Sequence, residues 1–241
     1  MRKRADIVLV KRGFFSSRAR AQAAIAAGLV TVGGVALKKA SEEVAGDAPI
    51  EARASHPWAS RGGVKLAAAL DAFALDPRGL VCLDVGASTG GFTDVLLARR
   101  AARVIAVDVG RGQLDPRLAA DPRVRSLEGF DARALTSEML GETPNAIVLD
   151  VSFISQRLVL PAALKLAANG AWLVSLVKPQ FELNPSDIVK GRVRNEEALT
   201  RACAAVRAAI EAEGWTALGL IPSPILGGAG AREFLIGARH G

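Results

Sequence analysis

The chain of 241 residues has two cysteines, two histidines and no apolar run approaching the roughly 20 residues that a membrane span requires, and each scarcity removes a class of function. Cys82 and Cys203 each fall inside an apolar stretch with no second cysteine or histidine at ligand spacing. That excludes a disulfide framework and a zinc knuckle, and reads as two buried thiols of a reduced protein. His56 has no acid or thiol partner in sequence and is assigned no role; no Ser-His spacing marks a nucleophilic triad, and no metal is expected. The opening MRKRADIVLVKRGFF is basic, but its apolar run is four residues before Lys11, too short for a secretory signal, so a cytoplasmic protein is expected. Two nucleotide motifs are missing as well. No Gly-Lys-Ser/Thr follows the first glycine of LVCLDVGASTGGFTDVLL (Leu80 to Leu97), so it is not a P-loop, and Ser88 stands where G-x-G-x-x-G needs its second glycine, which demotes NAD.

That same stretch is the strongest positive signal. A short apolar run ends on Asp84, a turn holds Gly86, Ser88, Thr89, Gly90 and Gly91, and Phe92, Val95 and Leu96 resume at helical spacing. The pattern reads as buried strand, tight turn, helix, with backbone close approach and free N–H groups suited to a nucleotide-like ligand. Strands are expected at residues 81–85, 103–107, 124–127, 146–149, 171–177, 216–221 and 234–236, with helices including 60–73, 158–168 and 196–213. The alternation predicts an α/β, Rossmann-like doubly wound sheet that binds ligands at the carboxyl ends of its strands. The last two strands are too close for a helical crossover and should pair antiparallel, which brings Glu233 to the same edge. Asp108, 22 residues after Gly86, is placed to accept hydrogen bonds from a ribose diol, and Asp131 to reach an adenine amino group. Asp150 and Lys178 end the next two strands; whether Lys65 turns inward is left to the fold.

The net charge of +7 is not evenly spread: residues 1 to 60 hold 10 Lys/Arg against 5 Asp/Glu, and residues 61 to 241 hold 21 against 19. A localised basic excess suits a phosphate-binding face. A helix over 5–12, a second capped by Ser16 or Ser17 and ending at Gly28, and a hairpin turning at Gly33-Gly34 carry it. Residues 39–59 read as tail and linker, with Trp58 as a packing anchor. Two domains follow, 1–59 and 60–241.

The pattern RADIVLVKRG, SSRARAQAAI, GLVTVGG resembles the S4 RNA-binding domain, a small α+β unit, which implies structured RNA as a partner. SRGGVKL, LDVGASTGGFTDVLL, AVDVGRGQLDP, LDVSFIS, VKPQFE and REFL resemble, in order through the chain, the TlyA family. These are S4-domain ribosomal RNA 2'-O-methyltransferases with an FtsJ-like class I methyltransferase domain, sometimes labelled hemolysins. The resemblance implies S-adenosylmethionine as cofactor, held by Asp84, Gly86, Ser88, Gly90, Gly91, Phe92, Asp108, Asp131 and Asp150. It also implies a catalytic tetrad of Lys65, Asp150, Lys178 and Glu233, cytidine in ribosomal RNA or ribosomal subunits as acceptor, and no membrane partner. RNA-binding candidates are Arg4, Lys11, Arg12, Arg18, Arg20 and Arg61. The residues leave open whether Lys178 takes the acceptor proton or stabilises the alkoxide. An inactive RNA-binding or assembly protein and a membrane-lytic protein are the competing classes. The chain departs from the family pattern at Arg111, Phe130-Asp131, the AGAR before Glu233, and ELNPSDIVKGRV, residues 182–193.

Overall fold

A computed structural model of the chain describes residues 2–15, 17–53 and 56–241. They form two compact units, Met1–Pro57 and Trp58–Gly241.

The first unit runs β1 (Arg2–Arg4), α1 (Ala5–Lys11), α2 (Arg18–Ala26), β2 (Val30–Val32), β3 (Val35–Ala36), β4 (Glu43–Ala45) and β5 (Ile50–Ala52). Ser17 caps α2, its hydroxyl accepting from Arg20 N at 3.3 Å; Ser16 lies outside the described residues. Gly33 and Gly34 take φ of +57° and +78°, which makes the β2–β3 turn the two-residue type that follows strand twist. Residues 43–45 and 50–52, expected to be irregular, are strands: β4 pairs antiparallel with β1, and β5 with β2. Three-residue strands show too little alternation to be seen in sequence, and the partner of β4 is some forty positions away. Their Val44 and Ile50 join Val8, Leu9, Ala24, Ile25 and Val30 in one apolar cluster, which is what fixes them.

The second unit contains α3 (Gly62–Ala72), β6 (Val81–Val85), α4 (Gly91–Ala98), β7 (Arg103–Asp108), α5 (Pro116–Ala119), β8 (Val124–Glu128), α6 (Ser137–Leu140), β9 (Ala146–Leu149), α7 (Leu160–Leu164), β10 (Trp172–Val177), α8 (Glu196–Ala212), β11 (Trp215–Pro222) and β12 (Phe234–His240). Its seven strands lie in the order β11-β12-β10-β9-β6-β7-β8, with β12 antiparallel to both neighbours and β6 to β10 parallel. The chain moves outward from β6 to β8 and restarts at β9, so the topological switch point lies between β6 and β9. Strand alternation sends Leu83, Val85 and Ile236 into the apolar cluster on one face and Cys82 and Leu235 into the cluster on the other, each face covered by helices. The helix expected over 158–168 is only Leu160–Leu164. The chain after it is drawn to the amino end of β9, where Ala168 N bonds Pro144 O at 2.9 Å. Strand β12 runs to His240 because it is hydrogen-bonded on both sides for its whole length, past the point where Gly237 and Arg239 interrupt its apolar pattern.

Candidate active site

The turn after β6 is shaped by what it must avoid. Gly86 has φ +84°, and a Cβ there would stand 2.6 Å from the carbonyl oxygen of Asp150, so only glycine lets the ends of β6 and β9 lie this close. Gly90 is left-handed and packs on Leu118, Gly91 packs on Ser60, and Phe92 is buried in the apolar cluster under α3 and α4. These three seat helix α4.

Asp84 faces α4 and is fully buried; its Oδ2 accepts from Thr93 Oγ1 at 2.6 Å, and its Oδ1 has no partner. Burial pushes its carboxyl up to about 7, the Thr93 hydroxyl opposes this, and the Asp150 charge adds to it. From the ordinary carboxylate value up to about 7, the folded state keeps a proton that the unfolded chain has released, so stability falls as pH rises through that window and levels off above it. The expected slope is up to about 1.4 kcal/mol per pH unit. Denaturant unfolding of wild type and Asp84→Asn across this range should show the difference shrinking with rising pH; a constant difference contradicts a protonated Asp84.

A cavity of about 610 Å³ opens at the carboxyl ends of β6, β7 and β9. Of the expected ligand residues, Gly86, Ser88, Asp108, Asp131 and Asp150 line it, with Phe130, Ile154 and Val159 as apolar wall. Asp84, Gly90, Gly91 and Phe92 do not. The Asp108 carboxylate is aimed by two backbone amides, Ser88 N and Gly110 N, each at 2.7 Å. Asp131 forms a two-pronged pair with Arg133, whose hydrogen bonds hold its carboxyl down at about 2. A carboxylate at the end of β7, a glycine turn that brings the backbone to the cavity and an apolar wall suit a nucleoside carrying a charged tail.

Beside the cavity, two ion pairs bring together the four residues expected to act. Lys65 on α3 does turn inward: its Nζ lies 2.5 Å from Glu233 Oε2, and both side chains are buried. Lys178 Nζ lies 2.5 Å from Asp150 Oδ1 and directs a hydrogen bond to Ser152 Oγ at 2.6 Å. The pairs are neighbours because Phe234 is in register with Val177, which puts Glu233 and Lys178 on one edge. Two ammonium and two carboxylate groups leave this cluster without net charge.

Sequence reasoning missed three residues here. Ser152 orients Lys178. Phe153 is 92% exposed at the cavity rim with φ +65°, unusual for an aromatic, and its ring meets Phe181 at 5.3 Å. Glu182 is buried and accepts from Ser155 Oγ at 2.5 Å, Gln156 N at 2.8 Å and Arg157 Nε at 3.2 Å, which ties the segment after β10 to the segment after β9. The occurrence of LDVSFIS and VKPQFE as separate motifs is the signal that could have linked them.

In the first unit, Arg4 and Arg18 both bond to the buried carboxylate of Asp6, at 3.1 and 2.8 Å, while their own side chains stay about half exposed. Asp6 is thereby held well below the usual carboxylate range, by the Arg4 hydrogen bond above all. Arg12 donates to Ala48 O at 2.5 Å and sits over the Phe14 ring; Lys11 is exposed and Arg20 half-buried. Arg61, exposed, precedes α3 in the second unit.

Residues 58–240 match the FtsJ-like methyltransferase family and residues 3–50 the S4 domain. The chain is 42% identical, over 99% of its length and 90% of the relative's, to the 16S/23S rRNA (cytidine-2'-O)-methyltransferase TlyA of Mycobacterium tuberculosis. Its structure resembles that of a protein named as a hemolysin from Streptococcus thermophilus, with a TM-score of 0.80, 38% identity, and coverage of 99% of this chain and 88% of the other. The N-methyltransferase NodS from Bradyrhizobium japonicum shares the fold at a TM-score of 0.52 and 16% identity, over 75% of this chain and 98% of NodS.

Proposed function

We propose, from the premise that the chain belongs to the TlyA family of S4-domain, FtsJ-like methyltransferases, that it methylates the ribose 2'-hydroxyl of a cytidine in ribosomal RNA, in the cytoplasm, with S-adenosylmethionine as donor. The observation that carries the reading is the paired Lys-Asp-Lys-Glu cluster next to a nucleoside-sized cavity.

The residues fit the cofactor: Asp108 suits the ribose diol, the apolar wall with Phe130 suits the adenine, and the turn from Gly86 to Ser88 together with Asp150 suits the methionine end. When bound, S-adenosylmethionine supplies an electrophilic methyl on a sulfonium. The chain's own task is to position an acceptor hydroxyl in line and to help with one proton. The Lys178 ammonium has three N–H donors; one is given to Ser152 Oγ and the group is held against the Asp150 carboxylate as an ion pair, which leaves donor capacity for the acceptor oxygen. The buried Lys65–Glu233 pair braces this edge without adding net charge, so the cluster repels neither a cationic donor nor an RNA phosphate. Phe153 offers the exposed aromatic face on which an unstacked base can rest. The first unit, with Arg4 and Arg18 set side by side by Asp6, holds the folded RNA.

Some relatives carry the name hemolysin, yet among the described residues no helix is long and apolar enough to cross a membrane. The reading is tested by incubating the protein with methyl-labelled S-adenosylmethionine and ribosomal subunits. Label in the RNA is expected; none with either subunit or with free ribosomal RNA overturns it.

A further inference from the structure

The segment between β10 and α8, where the chain departs from the family pattern, holds a feature that the tetrad does not use. Val189 and Arg192 are joined by two backbone bonds, Val189 N to Arg192 O at 2.8 Å and Arg192 N to Val189 O at 3.1 Å. The two residues between them, Lys190 and Gly191, have φ of +50° and +75°. This is a minimal hairpin with a turn that normally takes Asn-Gly or Gly-Gly at its centre. A lysine kept in a left-handed position at the tip is an outlier of the sort that clusters at functional sites.

The hairpin stands on a firm base beside the tetrad. Ile188 and Val193 pack with Leu199 and Phe234, and Phe234 directly follows Glu233. Asp187 is held by Arg201 at 3.0 Å. Gly230, in the loop that leads to Glu233, lies so close to the Arg192 guanidinium that a Cβ there would stand 3.3 Å from it. From this base Lys190, Arg192 and Arg194 project as exposed cations, and among the described residues none has a carboxylate within ion-pair distance. Of the nearby acids, Asp187 is engaged by Arg201 and Glu196 by Arg232. Three unneutralised cations in five positions stand out in a unit whose totals nearly cancel at 21 basic against 19 acidic residues. A basic hairpin on an apolar base at the ligand edge matches the spaced negative charge of a nucleic-acid backbone.

Resting on the methyltransferase reading, we propose that the Val189–Arg194 hairpin is a phosphate-binding finger that grips the backbone of the RNA strand carrying the acceptor nucleotide. It gives the catalytic unit its own hold on RNA, separate from that of the first unit. Its role is to hold the acceptor strand, so it governs RNA affinity and leaves the chemical step unchanged.

The test uses the full chain and the variant Lys190→Gly/Arg192→Gln/Arg194→Gln, which keeps a residue suited to the turn. RNA affinity is measured by filter binding against salt concentration, and turnover is measured on the same RNA. The expected result is a KM for RNA raised roughly tenfold or more with kcat little changed. The plot of log affinity against log salt should also be shallower by about 2 to 3, since each phosphate that the protein neutralises adds about 0.7–0.9 to the slope. Lys190→Gly alone should flatten the slope by the increment of a single phosphate, and Lys190→Arg should match wild type. A wild-type salt slope and KM in the triple variant overturn the finger. Because binding is read without turnover, wild-type protein that binds RNA but transfers no methyl instead overturns the methyltransferase reading.

Discussion

Lys178→Ala is expected to lower kcat for methyl transfer by about 10³-fold or more, with affinity for S-adenosylmethionine close to wild type. The side chain is not part of the lining formed by Gly86, Asp108 and Asp131, so truncating it removes no wall of the donor site and only takes the ion-pair partner from Asp150. What it removes is the ammonium 2.5 Å from Asp150 and 2.6 Å from Ser152, the group aimed at the acceptor oxygen. Lys178→Arg should also fail, since a longer, planar fork directs its donors differently from the compact ammonium seated between Asp150 and Ser152. Single-turnover kinetics with calorimetry on the same samples separate the two effects. Turnover within tenfold of wild type in Lys178→Ala removes Lys178 from the chemistry.

Glu233→Leu is expected to be the most destabilising change at the site. Lys65 and Glu233 have side chains only 9% and 3% exposed, so removing the carboxylate strands a buried ammonium. Breaking one side of such a pair costs about 3–5 kcal/mol, which at about 2–4 °C per kcal/mol lowers the melting temperature by about 10 °C. Replacing both, as Lys65→Met/Glu233→Leu, removes the stranded charge and should regain most of the stability without regaining turnover. Thermal melts of the single and double variants decide it: a single variant within about 1 kcal/mol of wild type contradicts a structural dependence of one residue on the other.

The parts of this architecture that could be read in sequence are those encoded locally. The strand, turn and helix around Gly86 follow from a few adjacent residues, and Asp108 follows from its distance to that turn. The antiparallel end of the sheet followed from the short connection between β11 and β12, and it correctly brought Glu233 to the edge with Lys178. Lys65 could be named but not placed from the residues, and only the family resemblance implied its role. Its partner is 168 positions away, and nothing in a helical Gly-Gly-Val-Lys says which way the lysine points until α3 packs on the sheet. The same limit hid β4 and β5, whose pairing partners are distant, and Ser152, which looks like an ordinary loop serine until Lys178 reaches it. Phe92, expected from its place in the motif to touch ligand, packs in the core beside Val95 and Leu96 and does not line the cavity.

On the proposed function, the cavity and the tetrad together deliver a methyl group to a ribose oxygen. The direct measurement is to digest RNA labelled by this protein to nucleosides and find where the methyl sits. Label is expected in 2'-O-methylcytidine, resistant to alkaline cleavage on its 3' side, and none with Lys178→Ala. Label on a base nitrogen or carbon, with the ribose unmodified, contradicts it.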